Sequence, residues 1–384
     1  MTDERQLIVH YFDRQYRYDY IIAFLEIYHD IVISKRTLKR RLRSYGLNRR
    51  SSNIPIPALR QIIETEIQGP AAIKGYRGMW NHLKCTYGIT VKRDVVMNLL
   101  REIDPEGTEL RRTRRLKRRT YSSPGPNHCW HIDGYDKLKP YGLPIHGCVD
   151  GFSRKIIWLN VVKSNNNPVI PAYLFLTAVK DLGHCPTKAR TDFGTENGIM
   201  ADFQCFLVND INAHSYGTST ANQRIENWWS HYKRSFTSWV IDFFKQMAAD
   251  GILIPGHHIH MECVWFVFAR FLQNQLDEVC YEWNTHFIRQ SRHDTIAGVP
   301  DVLFHVPMLS GHENKKVLIT QEQLQRVLDE RDIFSEATEL MNDDSDEDLE
   351  EFFKHVIQTE EFCHPPKNWQ EARIIYETII QRCV

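Results

Sequence analysis

The chain has 384 residues, of which 42% are hydrophobic and 25% charged, with 48 Lys+Arg against 48 Asp+Glu. That length accommodates two to four folded units, and the composition excludes a fibrous or wholly disordered chain. No apolar run approaches a membrane span and the N-terminus lacks the apolar core of a signal peptide, so the expectation is an intracellular protein without a membrane partner.

Nine cysteines are scattered singly, with no Cys-x-x-Cys pair, which reads as a set of reduced thiols. The zero net charge hides an asymmetry. Residues 1–120 hold 25 Lys+Arg and 13 Asp+Glu, and the remainder holds 23 and 35. A basic N-terminal third points to a polyanion, most simply DNA; a solvated basic face is the plainer alternative.

Residues 1–52 read as a helix-turn-helix unit. A helix over 20–28 is followed by a short turn through His29, Asp30 and Ile31. Ser34 is placed to cap a second helix, 35–45, that stops before Gly46. Leu38 and Leu42 lie one turn apart and face inward, leaving Arg36, Lys39, Arg40 and Arg43 on the other side. A helix seated in a major groove uses such cations for phosphates and base edges. Residues 53–104 repeat the scheme with helices over 58–67, 76–87 and 91–103, but with more apolar surface, and no base contact is assigned there.

Residues 105–126 form a linker. Seven of the nine positions 111–119 are basic, among them Arg111, Arg112, Arg114 and Arg115. A block this dense stays extended until it meets phosphate, and suits either a DNA backbone or a nuclear import signal. The expected location is therefore the nucleus.

From 127 to 250 strands alternate with helices. Cys129-Trp130-His131-Ile132-Asp133-Gly134 alternates apolar and polar residues, the period of a half-buried strand, with Asp133 in its middle. Strands follow over 147–153 and 155–162, then a helix over 168–182, a strand over 187–192, a short helix over 202–208, a strand or loop at 214–216 and a long helix over 222–247. A carboxylate on a core strand is costly unless neutralised. Asp192, in Thr191-Asp192-Phe193-Gly194-Thr195-Glu196-Asn197, and Glu226, in Asn222-Gln223-Arg224-Ile225-Glu226, are the partners that could share a cation with it.

The order of these strings resembles the integrase core of retroviral and transposon enzymes, and the segments 125–154 and 222–229 also resemble animal transposon-derived proteins carrying this core. The second acid follows the first by 59 positions and the third follows by 34 more. The resemblance implies an α/β, ribonuclease-H-like fold: a mixed five-stranded sheet with flanking helices, preceded by the all-α helix-turn-helix units and followed by a helical region over 251–310. It implies that Asp133, Asp192 and Glu226 are the catalytic, metal-holding residues for two Mg2+ or Mn2+ ions, Asp133 bridging both. It implies DNA strand transfer by a homo-oligomer. Asp150 is then a structural partner of Ser153 and Arg154. Glu196, four positions after Asp192, is by its spacing a candidate to support that acid. Lys233, two helical turns after Glu226, is a candidate phosphate contact. A domesticated DNA-binding protein that has lost recombination, and a nuclease that never joins strands, remain alternatives. The zinc module that precedes the core in retroviral integrases is not visible.

In the final region, 311–384, seven of the nine positions 343–351 are acidic. A solvated, disordered stretch is expected there.

Overall fold

The computed structural model describes residues 3–47, 54–105, 108, 122–217, 222–290, 296–343 and 347–383. Arg111, Arg112, Arg114 and Arg115 of the basic linker lie outside them. The chain begins with two three-helix units. The first comprises α1 (Glu4–Asp13), α2 (Tyr18–His29) and α3 (Lys35–Ser44) around Ile8, Phe12, Ile21, Leu25, Leu38 and Leu42. Asp30 ends α2 in the left-handed region at φ 54°, and Ser34 Oγ accepts from Thr37 N at 3.1 Å, so the expected cap forms. The second unit comprises α4 (Ile56–Glu66), α5 (Tyr76–Tyr87) and α6 (Arg93–Ile103) around Leu59, Ile63, Met79, Leu83, Val96 and Leu100.

The sheet runs β3-β2-β1-β5-β6. β1 (Cys129–Tyr135) is its centre, antiparallel to β2 (Ile145–Asp150), which is antiparallel to β3 (Ile156–Val161). A helix, α7 (Val169–Leu182), ends at Gly183 in the left-handed conformation and leads through β4 (His184–Cys185) to β5 (Lys188–Thr191), parallel to β1. Then α8 (Gly198–Val208) crosses to β6 (His214–Tyr216), parallel to β5. This is the mixed five-stranded sheet with flanking helices that the sequence led us to expect.

Period-two alternation assigns the two faces. Trp130 and Ile132 join Cys148 and Trp158 under α7 and α8. Tyr135 and Val149 lie on the other face, beneath α9 (Gln223–Tyr232). The long helix expected over 222–247 is interrupted. After α9 a π-helical turn, Lys233–Thr237, precedes α10 (Ser238–Ala249). α11 (His258–Thr285) lies over the same face and is the apolar helix expected after the core.

The chain closes with α12 (Pro300–His305), β7 (Val317–Leu318) paired to β4, α13 (Gln321–Glu330), α14 (Ile333–Asp343), α15 (Glu347–Thr359) and α16 (Trp369–Cys383). The acidic run departs from expectation. Residues 344–346 lie outside the described residues, but Glu347, Asp348, Glu350 and Glu351 sit on α15. Burial of Phe353 and Val356 in the core that includes α11 offsets the acids' preference for water.

Both N-terminal units are fastened to the helices after the core. Asp301, on α12, accepts from Tyr16 Oη at 2.5 Å and Arg14 Nη1 at 3.2 Å, and also pairs with Lys155. Lys74 Nζ lies 2.8 Å from Glu282 Oε2 on α11, and His82 stands between Glu282 and Glu66.

Candidate active site

Asp133 stands opposite Gly147 on the neighbouring strand. That glycine is required by packing: a Cβ there would come within 2.9 Å of Trp229 Cη2 and 3.3 Å of Leu159 Cδ1. Trp229 therefore packs against β2 at Gly147, and its Nε1 donates to Asp133 Oδ2 at 3.1 Å. Asn222, just before α9, fixes the helix to β1. Its Nδ2 donates to Ile132 O at 2.8 Å, and its Oδ1 lies 2.7 Å from His131 Nδ1. Burial holds the His131 pKa at about 3, so the ring is neutral and its Nδ1–H donates to the amide oxygen. Arg224 Nε donates to Gly151 O at 2.8 Å, a second fastening point at the turn after β2. These contacts place Glu226, in the first turn of α9, over the strand that carries Asp133.

Asp192 follows the last residue of β5, the strand parallel to β1. Its Oδ1 accepts from Gly194 N at 3.2 Å and from Asn197 Nδ2 at 3.1 Å. The same Asn197 amide lies 3.4 Å from Glu196 Oε1, so Glu196 stands behind Asp192 through a shared donor. Phe193 is 69% exposed beside the acid.

Asp133 and Glu226 are both raised by acidic neighbours. Burial first, then the charges of Glu226 and Asp192, push the Asp133 pKa up to about 7. Glu226 is raised by burial and by Asp192, and lowered by Lys137. Burial and neighbouring like charge both disfavour the ionised carboxylate, which gives these upward shifts. Among the described residues, no group of three or more His, Cys, Asp or Glu side chains is gathered closely enough to hold a metal ion. The chemistry of the set nevertheless fits a hard divalent cation: all donors are carboxylate oxygens, with Trp229 on Oδ2 of Asp133 and Gly194 N and Asn197 on Oδ1 of Asp192.

Asp150 is a different case. Fully buried, it accepts from Asn127 N at 2.8 Å, Ser153 N at 2.7 Å, Ser153 Oγ at 2.7 Å and Phe152 N at 3.2 Å. It closes the turn between β2 and β3 and faces no cleft. Lys233 is exposed and begins the π-helical turn, whereas the cation acting on Glu226 is Lys137. On α3, Arg36, Lys39, Arg40 and Arg43 are all exposed, as expected. Sequence reasoning gave no roles to His131, Asn222, Trp229, Asn197 or Lys137. The first four lie inside or next to the quoted strings, but the roles of His131, Asn222 and Trp229 depend on contacts between segments 90 to 96 residues apart.

A family model described as "Integrase core domain" matches residues 120–317. No curated protein gives a significant match. Among solved structures, a cryo-EM structure of the simian T-cell lymphotropic virus intasome in complex with PP2A regulatory subunit B56 gamma is 17% identical. The match covers 66% of this chain and 80% of that one, at a TM-score of 0.34.

Proposed function

Because the chain belongs to the integrase core domain family, we propose that it is a metal-dependent DNA strand transferase in which Asp133, Asp192 and Glu226 form the catalytic centre. The observation that carries this reading is that acids from the end of β5 and from α9 both act on the half-buried Asp133 of β1, and Asp192 acts on Glu226 as well. Asp133, Asp192 and Glu226 would hold Mg2+ or Mn2+. Two such ions, when bound, supply the positive charge that stabilises the attacking and leaving oxygens of an in-line displacement at phosphorus.

The chain's own contribution is positioning. Trp229 restrains one oxygen of Asp133, Asn197 and Gly194 N restrain one oxygen of Asp192, and Asn222 and Arg224 lock α9 so that Glu226 stays in register. In the joining reaction a DNA 3′-hydroxyl oxygen forms a bond to a target phosphorus. The target's own P–O3′ bond breaks, and the proton passes from the attacking hydroxyl to the departing 3′-oxygen by way of solvent. With water as the attacking group the same centre nicks DNA. Arg36, Lys39, Arg40 and Arg43 of α3, the linker residues Arg111, Arg112, Arg114 and Arg115, and Lys233 are assigned to the DNA backbone. Joining two ends together calls for more than one centre, so the active species is a homo-oligomer.

The test incubates the purified chain with element-end duplexes and plasmid in Mg2+ or Mn2+, beside Asp192→Asn. Joined products that vanish in the variant support strand transfer. Nicks without joining leave a nuclease, and binding without either leaves a DNA-binding protein that has lost recombination.

A further inference from the structure

The chain leaves β1 just past Asp133 in a 3-10 turn, Asp136–Tyr141, to which the catalytic reading gives no task. The turn is tied down at several points. Asn165, in the loop after β3, packs so closely on Gly134 that a Cβ there would come within 2.9 Å of its Nδ2. Asn165 Nδ2 donates to Asp136 Oδ1 at 2.7 Å and to Ile145 O at 3.0 Å, which joins the turn to the start of β2. Both partners are acceptors, so the amide has one orientation. Lys139 Nζ lies 3.3 Å from Asp136 Oδ2 and 3.2 Å from Asn166 Oδ1. Leu138 is completely buried, and the Tyr141 ring stacks on Phe244 of α10 with centroids 5.0 Å apart. Gly142 ends the turn in the left-handed region at φ 75°.

One charged side chain of this turn is left over. Asp136 and Lys139 are engaged, whereas Lys137 is exposed and has no hydrogen bond or ion pair among the described residues. Its place is not an ordinary stretch of surface. Tyr135, the last residue of β1, stacks on Trp229 at 4.7 Å, and Trp229 in turn holds Asp133. Lys137 follows two residues later, on the face of the sheet that α9 and α10 cover, and its charge acts on Glu226 against the effects of burial and Asp192. A centre built from three carboxylates repels a DNA phosphate. The phosphorus gathers further negative charge as a fifth oxygen adds. A cation on a turn fixed in advance serves both needs, because it attracts the diester and does not have to reorient when the charge develops.

Resting on the strand-transfer reading above, we propose that Lys137 is a catalytic residue whose ammonium donates to a non-bridging oxygen of the DNA phosphate attacked beside Asp133 and Glu226. Asn165 is the post that holds its turn in place. Lys137 transfers no proton, and the bonds made and broken are those of the displacement already described.

The test compares Lys137→Gln and Lys137→Arg with the native chain in two measurements: strand joining at saturating DNA, and the salt dependence of affinity for duplex DNA. Lys137→Gln should slow joining by roughly 100-fold, the effect of removing one donor aimed at developing charge. It should also reduce the slope of log Kd against log salt by about 0.9, which is one phosphate. Lys137→Arg keeps the charge and should recover the slope and most of the rate. Thermal melts of both variants should match that of the native chain, since Lys137 supports no contact of the fold. An unchanged slope in Lys137→Gln overturns the proposal. So does a slope that falls while joining at saturating DNA is unaltered, which puts Lys137 on a phosphate away from the centre. Native joining that Lys137→Gln matches refutes this inference and leaves the catalytic reading standing. A native chain that neither nicks nor joins, yet loses the slope in Lys137→Gln and regains it in Lys137→Arg, refutes the catalytic reading and leaves the phosphate contact.

Discussion

Replacing Glu282 by Gln should loosen the second N-terminal unit from the catalytic region. Glu282 receives Lys74 Nζ at 2.8 and 3.0 Å and His82 Nδ1 at 2.5 Å, and His82 Nε2 lies 2.6 Å from Glu66. Glu278, Tyr87, Cys85, His231 and His286 are the further ionisable groups that act on this cluster. Burial alone would raise the Glu282 pKa, but Lys74 and His82 bring it down to about 2. Burial would lower that of His82, but hydrogen bonds to Glu282 and Glu66 raise it to about 8.

The signs follow from linkage. The Glu282 contribution is fully present above the ordinary carboxylate pKa of 4.5 and is lost as pH falls toward 2. The His82 contribution is fully present below 6.5 and is lost as pH rises through 8. At about 1.4 kcal/mol per decade these shifts correspond to about 3 and about 2 kcal/mol, so docking is strongest between roughly pH 5 and 6.5. Glu282→Gln leaves Lys74 and His82 without their shared anion, and breaking a buried pair in this way costs about 3–5 kcal/mol. Hydrogen exchange at one fixed pH reads the effect: amides of α5 should lose protection in the variant while those of β1 keep theirs. Urea unfolding of the native chain and of His82→Gln at pH 6 and pH 9 reads the window, and the stability difference should shrink at pH 9. Unchanged α5 protection, or a difference that grows with pH, would refute the electrostatic reasoning.

Three further outcomes follow from the site. Asn222→Ala removes the bonds to Ile132 O and His131, and should cost about 1–3 kcal/mol in urea unfolding while reducing strand joining more than DNA affinity. Gly147→Ala drives a methyl into Trp229, and overpacking of this kind costs about 1–3 kcal/mol; a melt should show the loss and tryptophan fluorescence the displaced ring. Asp133→Asn removes the carboxylate whose pKa burial and its acidic neighbours raise to about 7. A raised acid costs stability once ionised, so the variant should melt higher than the native chain at pH 8 and alike at pH 4. Added Mg2+ should raise the melting temperature of the native chain only.

How much was legible in the sequence varied with the range of the interaction. β1 was visible because period-two alternation is local and survives a carboxylate at its centre. The limits of α3 were visible because Ser34 and Gly46 mark them with short-range backbone chemistry. Asp150 could be told from the site acids by its neighbours Ser153 and Arg154, and the structure gives it four donors and no cleft. The π-helical turn at Lys233–Thr237 was not legible, since its residues are ordinary helix formers and the interruption shows only in the backbone bonding. The helix across Glu347–Thr359 was missed because acid density outweighed the spacing of Phe353 and Val356; Phe353 packs on Phe266 of α11, far earlier in the chain. The Lys74–Glu282 pair, 208 residues apart, has no sequence signature.

The most direct test of the central claim is anomalous diffraction from crystals of the native chain soaked in Mn2+. Peaks within coordination distance of Asp133, Asp192 and Glu226 together are the predicted result. Mn2+ at saturating concentration bound elsewhere, with these three side chains ordered and apart, would contradict it.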